Sequence, residues 1–257
     1  SSIYIFNDIV DAPSDKKHPL KKNRPIASGE FPIPLALFTS FSGILISLFL
    51  SSQLNFFFFL TCLAYLILQI SYTVYLRSVP ILDVISIASG FILRVYAGAV
   101  VINTHINGWL LLCIISFSLF LAVGKRRSEL TLLEGKEPEK HRKVLFAYNE
   151  KLLDQYIAMF GNTTWLTYSL FTFLQPPVKP SGRLLHIWGD LPLAFRSEKL
   201  MMITIPLVIY GIMRYLQLIY QKNEGNSPAE VLISDKPLFG TVFLWSLFIF
   251  VIIYGLR

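Results

Sequence analysis

Charge is scarce in this sequence. Aspartate, glutamate, lysine and arginine make up 15% of its 257 residues, against about 25% in an ordinary soluble domain. The deficit is uneven, because long apolar runs alternate with short polar ones. That pattern excludes a water-soluble globular domain and points to a chain that crosses a membrane repeatedly. Cysteine is as sparse: Cys62 and Cys113 both lie in apolar runs, which leaves them a packing role and excludes a disulfide framework. His18, His105, His141 and His186 are scattered without metal-ligand spacing. No glycine-rich phosphate loop, HExxH or GxSxG occurs, so the common soluble-enzyme chemistries are excluded. No convincing internal repeat is found, which weighs against a transporter for cations or lipid phosphates. What is in excess is positive charge, +7 in net. In a soluble protein that would suggest nucleic acid; here it follows from lysine and arginine in cytoplasmic loops, and no nucleic-acid partner is expected.

What is present is a series of apolar runs. Seven are long enough to span, at about 33–52, 55–76, 82–102, 108–124, 153–174, 200–220 and 238–256, since a span needs roughly 20 residues. An eighth, SSIYIF, is under way at residue 1, so the chain is expected to start inside a helix whose beginning is missing. Placing the loop with Lys16 and Arg24 in the cytoplasm assigns every other loop by alternation. Lysine and arginine then number sixteen inside, in 11–32, 77–81, 125–152 and 221–237, against five outside. The bias agrees with the positive-inside rule. The expected fold is all-α, a polytopic transmembrane helical bundle forming one catalytic domain over 1–257. It would lie in the cell (inner) membrane with its active site facing the cytoplasm. The proline-rich segment 175–199, with Trp188, reads as an interfacial cap on the other side.

Polar residues concentrate in three stretches. In NDIVDAPSD, Asn7, Asp11 and Asp15 stand at i, i+4 and i+8 with Asp8 beside them, along one helical face. Pro13 is expected to end or loosen that helix. Clustered carboxylates repel unless a cation sits among them, and an all-oxygen set suits a hard ion. Mg²⁺ commonly bridges carboxylates to substrate phosphates, and Lys16, Lys17, Lys21, Lys22 and Arg24 follow as phosphate partners. The expectation is a metal–polyphosphate site; the plain alternative is a solvated loop whose opposite charges pair with each other. In LDVISIASGFILRVYAG, Asp83, Ser86, Gly90 and Arg94 form a polar, small-residue stripe. An arginine that deep costs about 2.5–3.5 kcal/mol or more, so Arg94 should face a polar cavity or a fixed anion; a structural pair with a buried acid is the plain alternative. In LAVGKRRSEL, Lys125 and Arg126 are candidates for phosphate contact, and Arg127 reads equally as a topology anchor.

Together these stretches resemble the UbiA superfamily of intramembrane prenyltransferases. NDIVDAPSD matches that family's first acidic motif, NDxxDxxxD, in full. The resemblance implies nine helices, with the first missing from this chain. Conventional members carry a second motif, DxxxD, whereas Asp83 is followed four residues on by Ile87. That stretch, GKRRSEL and SPAEVLISDKPLFG are similar instead to the decaprenyl-phosphate phosphoribosyltransferase branch. This implies Mg²⁺-dependent transfer from 5-phosphoribosyl 1-diphosphate to a polyprenyl (decaprenyl) phosphate, releasing diphosphate, for cell-envelope arabinan precursors. By the same resemblance, Asp8, Asp11 and Asp15 hold the metal, and Asn7 joins them on the donor's diphosphate. Lys17, Lys22, Arg24, Lys125 and Arg126 meet donor phosphates, and Arg94 meets the acceptor's phosphate. Asp83 orients the ribose or a basic side chain, and is grouped with Asp11 and Asp15 as catalytic. An aromatic prenyltransferase of the same superfamily is the alternative reading, and a homo-oligomer stays open.

Overall fold

A computed structural model describes residues 2–16, 21–131, 148–176, 199–221 and 228–255; Lys17 and Trp188 lie outside them. Regular structure among the described residues is helical throughout. Six helices there are long and apolar enough to cross a membrane: Ile33–Leu54, Phe56–Val74, Leu82–Val101, Gly108–Thr131, Leu200–Tyr220 and Lys236–Tyr254. The run expected at 153–174 is the helix Glu150–Leu174 and is not among them. Asn162, Thr163, Thr164, Thr167, Ser169 and Thr172 dilute its apolar character.

The backbone forms two compact units. The first gathers the described residues up to His105 together with Tyr148 and Asn149. Its helix α1 (Ser2–Asp15) continues through Pro13 and does not end there as expected. Proline removes a backbone N–H and crowds the carbonyl four residues back, but here the helix has only two residues left to run. Its last turn closes with the Ser14 hydroxyl donating to the Asp11 carbonyl (2.8 Å) and the Lys16 N–H to the Ala12 carbonyl (3.1 Å). Asp15 therefore stays on the same face as Asn7 and Asp11.

The chain then doubles back through α2 (Pro25–Ser28). Arg24 is extended (ψ 141°), Pro25 supplies the preset φ of a first helical residue, and Gly29 at φ 89° takes the left-handed closing position that glycine tolerates. Ile26 packs with Ala12 and Ala36 against Ile5, Ile9 and Phe31. This cluster fixes α2 beside α1 and so sets Arg24 over the acidic face.

Helices α3 (Ile33–Leu54) and α4 (Phe56–Val74) meet at Asn55, whose side chain accepts from the Phe57 N–H (2.8 Å). Between α4 and α5 (Leu82–Val101) run a 3₁₀ turn, Leu76–Ser78, and a γ-turn centred on Ile81. There the Leu82 N–H donates to the Pro80 carbonyl (2.8 Å) and Ile81 has φ 69° and ψ −48°. A β-branched residue at positive φ is strained, by about 1–3 kcal/mol. Phe38, Phe41, Phe49, Phe56 and Phe57 are mostly exposed on α3 and α4, an apolar surface suited to lipid and unsuited to water.

The second unit holds α6 (Gly108–Thr131), α7 (Glu150–Leu174), a 3₁₀ turn at Leu200–Thr204, α8 (Ile205–Gln221), α9 (Pro228–Ser234) and α10 (Lys236–Phe250). A π-turn, Val251–Gly255, prolongs α10. Close approach is made by glycine: a Cβ at Gly161 would stand 3.3 Å from the Phe120 ring, and one at Gly124 would stand 3.0 Å from Ile219. Small residues let membrane helices pack this way. Polar links tie the rest. The Tyr168 hydroxyl joins that of Thr204 (2.6 Å) and accepts from the Trp245 indole (2.9 Å). Asp235 caps α10 by accepting from the Leu238 N–H (2.9 Å), and takes both ends of the Arg214 guanidinium (3.0 and 2.6 Å).

Candidate active site

The acidic face of α1 meets two arginines within the first unit. One nitrogen of Arg24 donates to both Asp8 and Asp15, each at 2.9 Å. Arg77, carried by the 3₁₀ turn after α4, donates to Asp11. The Thr73 hydroxyl, on the last turn of α4, meets the side-chain carbonyl of Asn7. Three acids and an amide in line on one helix are thus matched from two directions, by the turn before α2 and by the end of α4. The Arg24–Asp8 pair is more than a third exposed on both sides, where an ion pair is worth about 0–1 kcal/mol, so its effect is to position rather than to stabilise. Asp15 is buried, and its contact with Arg24 matters more. Lys22 is exposed beside this cluster in sequence.

The same α4–α5 connection carries Asp83, which is fully buried on the first turn of α5. The Tyr148 hydroxyl donates to it at 2.5 Å and accepts from the Ile81 N–H at 2.6 Å. One hydroxyl thereby holds the carboxylate and the strained γ-turn together, in the connection that also delivers Arg77 to Asp11.

Arg94 of the same unit stands apart from this group. Arg94 lies eleven residues beyond Asp83 on α5, about 16 Å along the axis. It bonds the Tyr65 hydroxyl, and its guanidinium lies 5.0 Å from the Tyr65 ring centroid and 5.5 Å from that of Phe91. Lys125 and Arg126 belong to the second unit. Arg126 is fully buried and paired with Glu129 one turn on. Arg127 donates to Asp154 (2.8 Å) and Glu150 (3.1 Å) and lies over the Tyr220 ring, tying α6 to α7 and α8. It is a structural clamp in its own unit.

Sequence reasoning passed over Arg77, Thr73, Tyr148 and Glu129. For Arg77 a signal existed, since the loop tally put it on the same side as the acids. A hydroxyl provider for buried Asp83 leaves no pattern in sequence, because the partner is 65 residues away.

Among the described residues no three acidic, histidine or cysteine side chains form a ready-made metal position. The donor set nevertheless fits a hard divalent ion. Asp8, Asp11 and Asp15 offer only oxygen, the ligand atom that such an ion takes. Beside them, α4 and α5 frame an apolar groove of about 590 Å³ that starts at Leu76 and runs along Ala64, Ile67, Ser89 and Ile92.

The chain resembles known proteins over most of its length. The decaprenyl-phosphate phosphoribosyltransferase of Corynebacterium glutamicum is 31% identical over 257 residues, covering 99% of this chain and 72% of its own length. That of Mycolicibacterium smegmatis is 35% identical over 177 residues, 67% of this chain and 54% of its own. A UbiA homologue of Archaeoglobus fulgidus, solved bound to GPP and Mg²⁺, shares the fold at a TM-score of 0.67 and 17% identity, over 98% of this chain and 82% of its own. The model of the UbiA prenyltransferase family matches residues 1–247, and with the acidic face of α1 and six helices able to span a bilayer, the chain is a multi-pass membrane protein of the UbiA prenyltransferase family.

Proposed function

We propose that this protein transfers a 5-phosphoribosyl group from 5-phosphoribosyl 1-diphosphate to a polyprenyl phosphate such as decaprenyl phosphate. The observation that carries the reading is the α1 face, on which Asp8, Asp11 and Asp15 are met by Arg24 and Arg77. A face of this kind suits a diphosphate donor. The names of relatives about one-third identical supply the acceptor, and Ile87, in place of a second acid after Asp83, fits a changed donor. The apolar groove from Leu76 suits a polyprenyl tail.

The acceptor attacks through an anionic phosphate oxygen. Its bond to ribose C1 forms as the bond from C1 to the diphosphate oxygen breaks, and the electron pair leaves with diphosphate. No proton moves, so no general base is required. C1 passes through oxocarbenium character, and attack opposite the leaving group inverts it. Asp8, Asp11 and Asp15 would hold Mg²⁺, which when bound neutralises charge on the leaving diphosphate. Arg24 and Arg77 keep the carboxylates in line and aim cationic N–H groups at the donor phosphates. Asn7 and Lys22 complete the proposed phosphate contacts. Tyr148 fixes Asp83 for the ribose. In this reading the reaction faces the cytoplasm of the cell membrane and feeds arabinan precursor synthesis.

The test is purified protein in detergent with Mg²⁺, labelled phosphoribosyl diphosphate and decaprenyl phosphate, following label into the lipid phase. Transfer that disappears in Asp11→Ala and Asp15→Ala is the expected result. Absence of transfer, with prenylation of an aromatic acid from a prenyl diphosphate, would overturn it in favour of an aromatic prenyltransferase.

A further inference from the structure

Helix α4 carries a polar line of its own. Tyr65, Gln69 and Thr73 stand at intervals of four, and Arg77 continues the interval just past the helix end. Residues so spaced share one helical face. Arg77 meets Asp11 and Thr73 meets Asn7, which sets this line against the acidic face of α1. The Thr73 hydroxyl also donates to the Gln69 backbone carbonyl (2.8 Å), so Gln69 is joined to the cluster through the turn above it.

Gln69 is half-buried within a membrane-spanning helix, where an unmatched carboxamide is costly. Among the described residues its side chain makes no hydrogen bond. The amide lies over Gly90 of α5, where a Cβ would stand 3.0 Å from the Gln69 Nε2. Any side chain at 90 would push the amide aside. The glycine that reads in sequence as part of a small-residue stripe therefore also gives Gln69 its place, and this fit is internal to α4 and α5.

Position and chemistry together decide what the amide serves. Gln69 stands about 6 Å along the axis from Thr73 and about 12 Å from Arg77, deeper along α4 than the acids. A diphosphate held at Asp11 and Arg77 leaves the group it carries to lie along this line. A carboxamide both donates and accepts. A phosphate offers only acceptors, which suits the arginines and sets its oxygens against the amide carbonyl. Two neighbouring hydroxyls offer a donor and an acceptor together, and a prenyl chain offers neither. We infer that Gln69 is the specificity-determining residue for the donor's sugar, its amide pairing with two neighbouring ribose hydroxyls and Gly90 seating it. The inference rests on the phosphoribosyl reading above and deepens it: acids and arginines take the diphosphate, while Gln69 selects the group attached to it. A site built to pair a hydroxyl rejects an analogue that lacks it, because its own polar group is then stranded.

The test compares kcat/KM for 5-phosphoribosyl 1-diphosphate with that for its 2-deoxy and 3-deoxy analogues, in purified protein in detergent with decaprenyl phosphate as acceptor. Gln69→Leu keeps the bulk of the side chain and removes its hydrogen bonds. It should lower kcat/KM for the ribosyl donor about tenfold or more and leave the analogues nearly unchanged. The intrinsic reactivity of each analogue cancels when parent and variant are compared. Gly90→Ala serves where Gln69→Leu folds poorly: its Cβ displaces the amide and should narrow the same preference to a smaller degree. An equal fall for all three donors would make Gln69 a packing residue and overturn the inference, as would an unchanged preference in both variants. A parent that transfers phosphoribose with a preference indifferent to Gln69 sinks this inference alone. A parent that transfers none and prenylates an aromatic acid sinks the underlying reading and this inference with it.

Discussion

Replacing Tyr148 with phenylalanine tests how the site is held. The change deletes one oxygen and leaves the ring. The hydroxyl donates to Asp83, buried without exposure, and accepts from the Ile81 N–H. A hydrogen bond to a charged group contributes about 1.5–3 kcal/mol, and the part-buried Ile81 N–H left without its acceptor costs toward the low end of about 1–3 kcal/mol. The γ-turn at Ile81 already stores about 1–3 kcal/mol of backbone strain, which a freed N–H can release by rotating to negative φ. Relaxation lowers the net loss, so about 2–4 kcal/mol is expected. At about 2–4 °C per kcal/mol for a chain of this size, the unfolding midpoint in detergent should fall by roughly 5–15 °C. The same rotation would carry Arg77 and Asp83 with it, so transfer should drop more than unfolding at the assay temperature accounts for. Adding Ile81→Gly supplies the double-mutant comparison, because glycine carries no strain at that turn. Tyr148→Phe should then cost more in the Ile81→Gly background than in the parent, since no strain is left there to release, giving a coupling of about 1 kcal/mol or more. Tyr148→Phe with parental midpoint and rate would refute the argument that this hydroxyl braces the connection.

Other substitutions separate chemistry from scaffold. Arg77→Ala should raise the donor KM and lower transfer about 100-fold, with Arg77→Lys recovering only part, since lysine lacks the planar fork; steady-state kinetics with varied phosphoribosyl diphosphate check this. Arg214→Ala leaves buried Asp235 without the guanidinium that meets both its oxygens, so the thermal unfolding midpoint should fall, and Asp235→Asn should be milder because it still caps α10. Chelation with EDTA should abolish transfer and added Mg²⁺ restore it, with retention of activity under chelation counting against a carboxylate-held metal.

The sequence made the spans and the acidic line legible because both are periodic signals. Apolar runs near 20 residues can hardly be anything but bilayer helices, and i, i+4, i+8 spacing survives as long as the helix does. It did survive, because Pro13 came too late in α1 to break the line. The partners of those acids were less legible. Arg24 was expected to meet phosphates, yet it bridges Asp8 and Asp15, which is the pairing of opposite charges that the plain alternative described. Arg77 and Tyr148 reach Asp11 and Asp83 across 66 and 65 residues, and pairing over such separations is decided by packing, which composition does not encode. Arg94 was legible as an anomaly, while its aromatic neighbours were not.

The bridge made by Arg24 bears on how the protein comes to exist. An array of bare aspartates at a bilayer edge would have to await an ion before the adjoining helices could settle. Here the chain brings its own provisional countercharge, delivered nine residues after the last aspartate by a turn that Pro25 and Gly29 bend into place. The acidic line is therefore countered from within the chain, and the adjoining helices can settle without waiting for an ion.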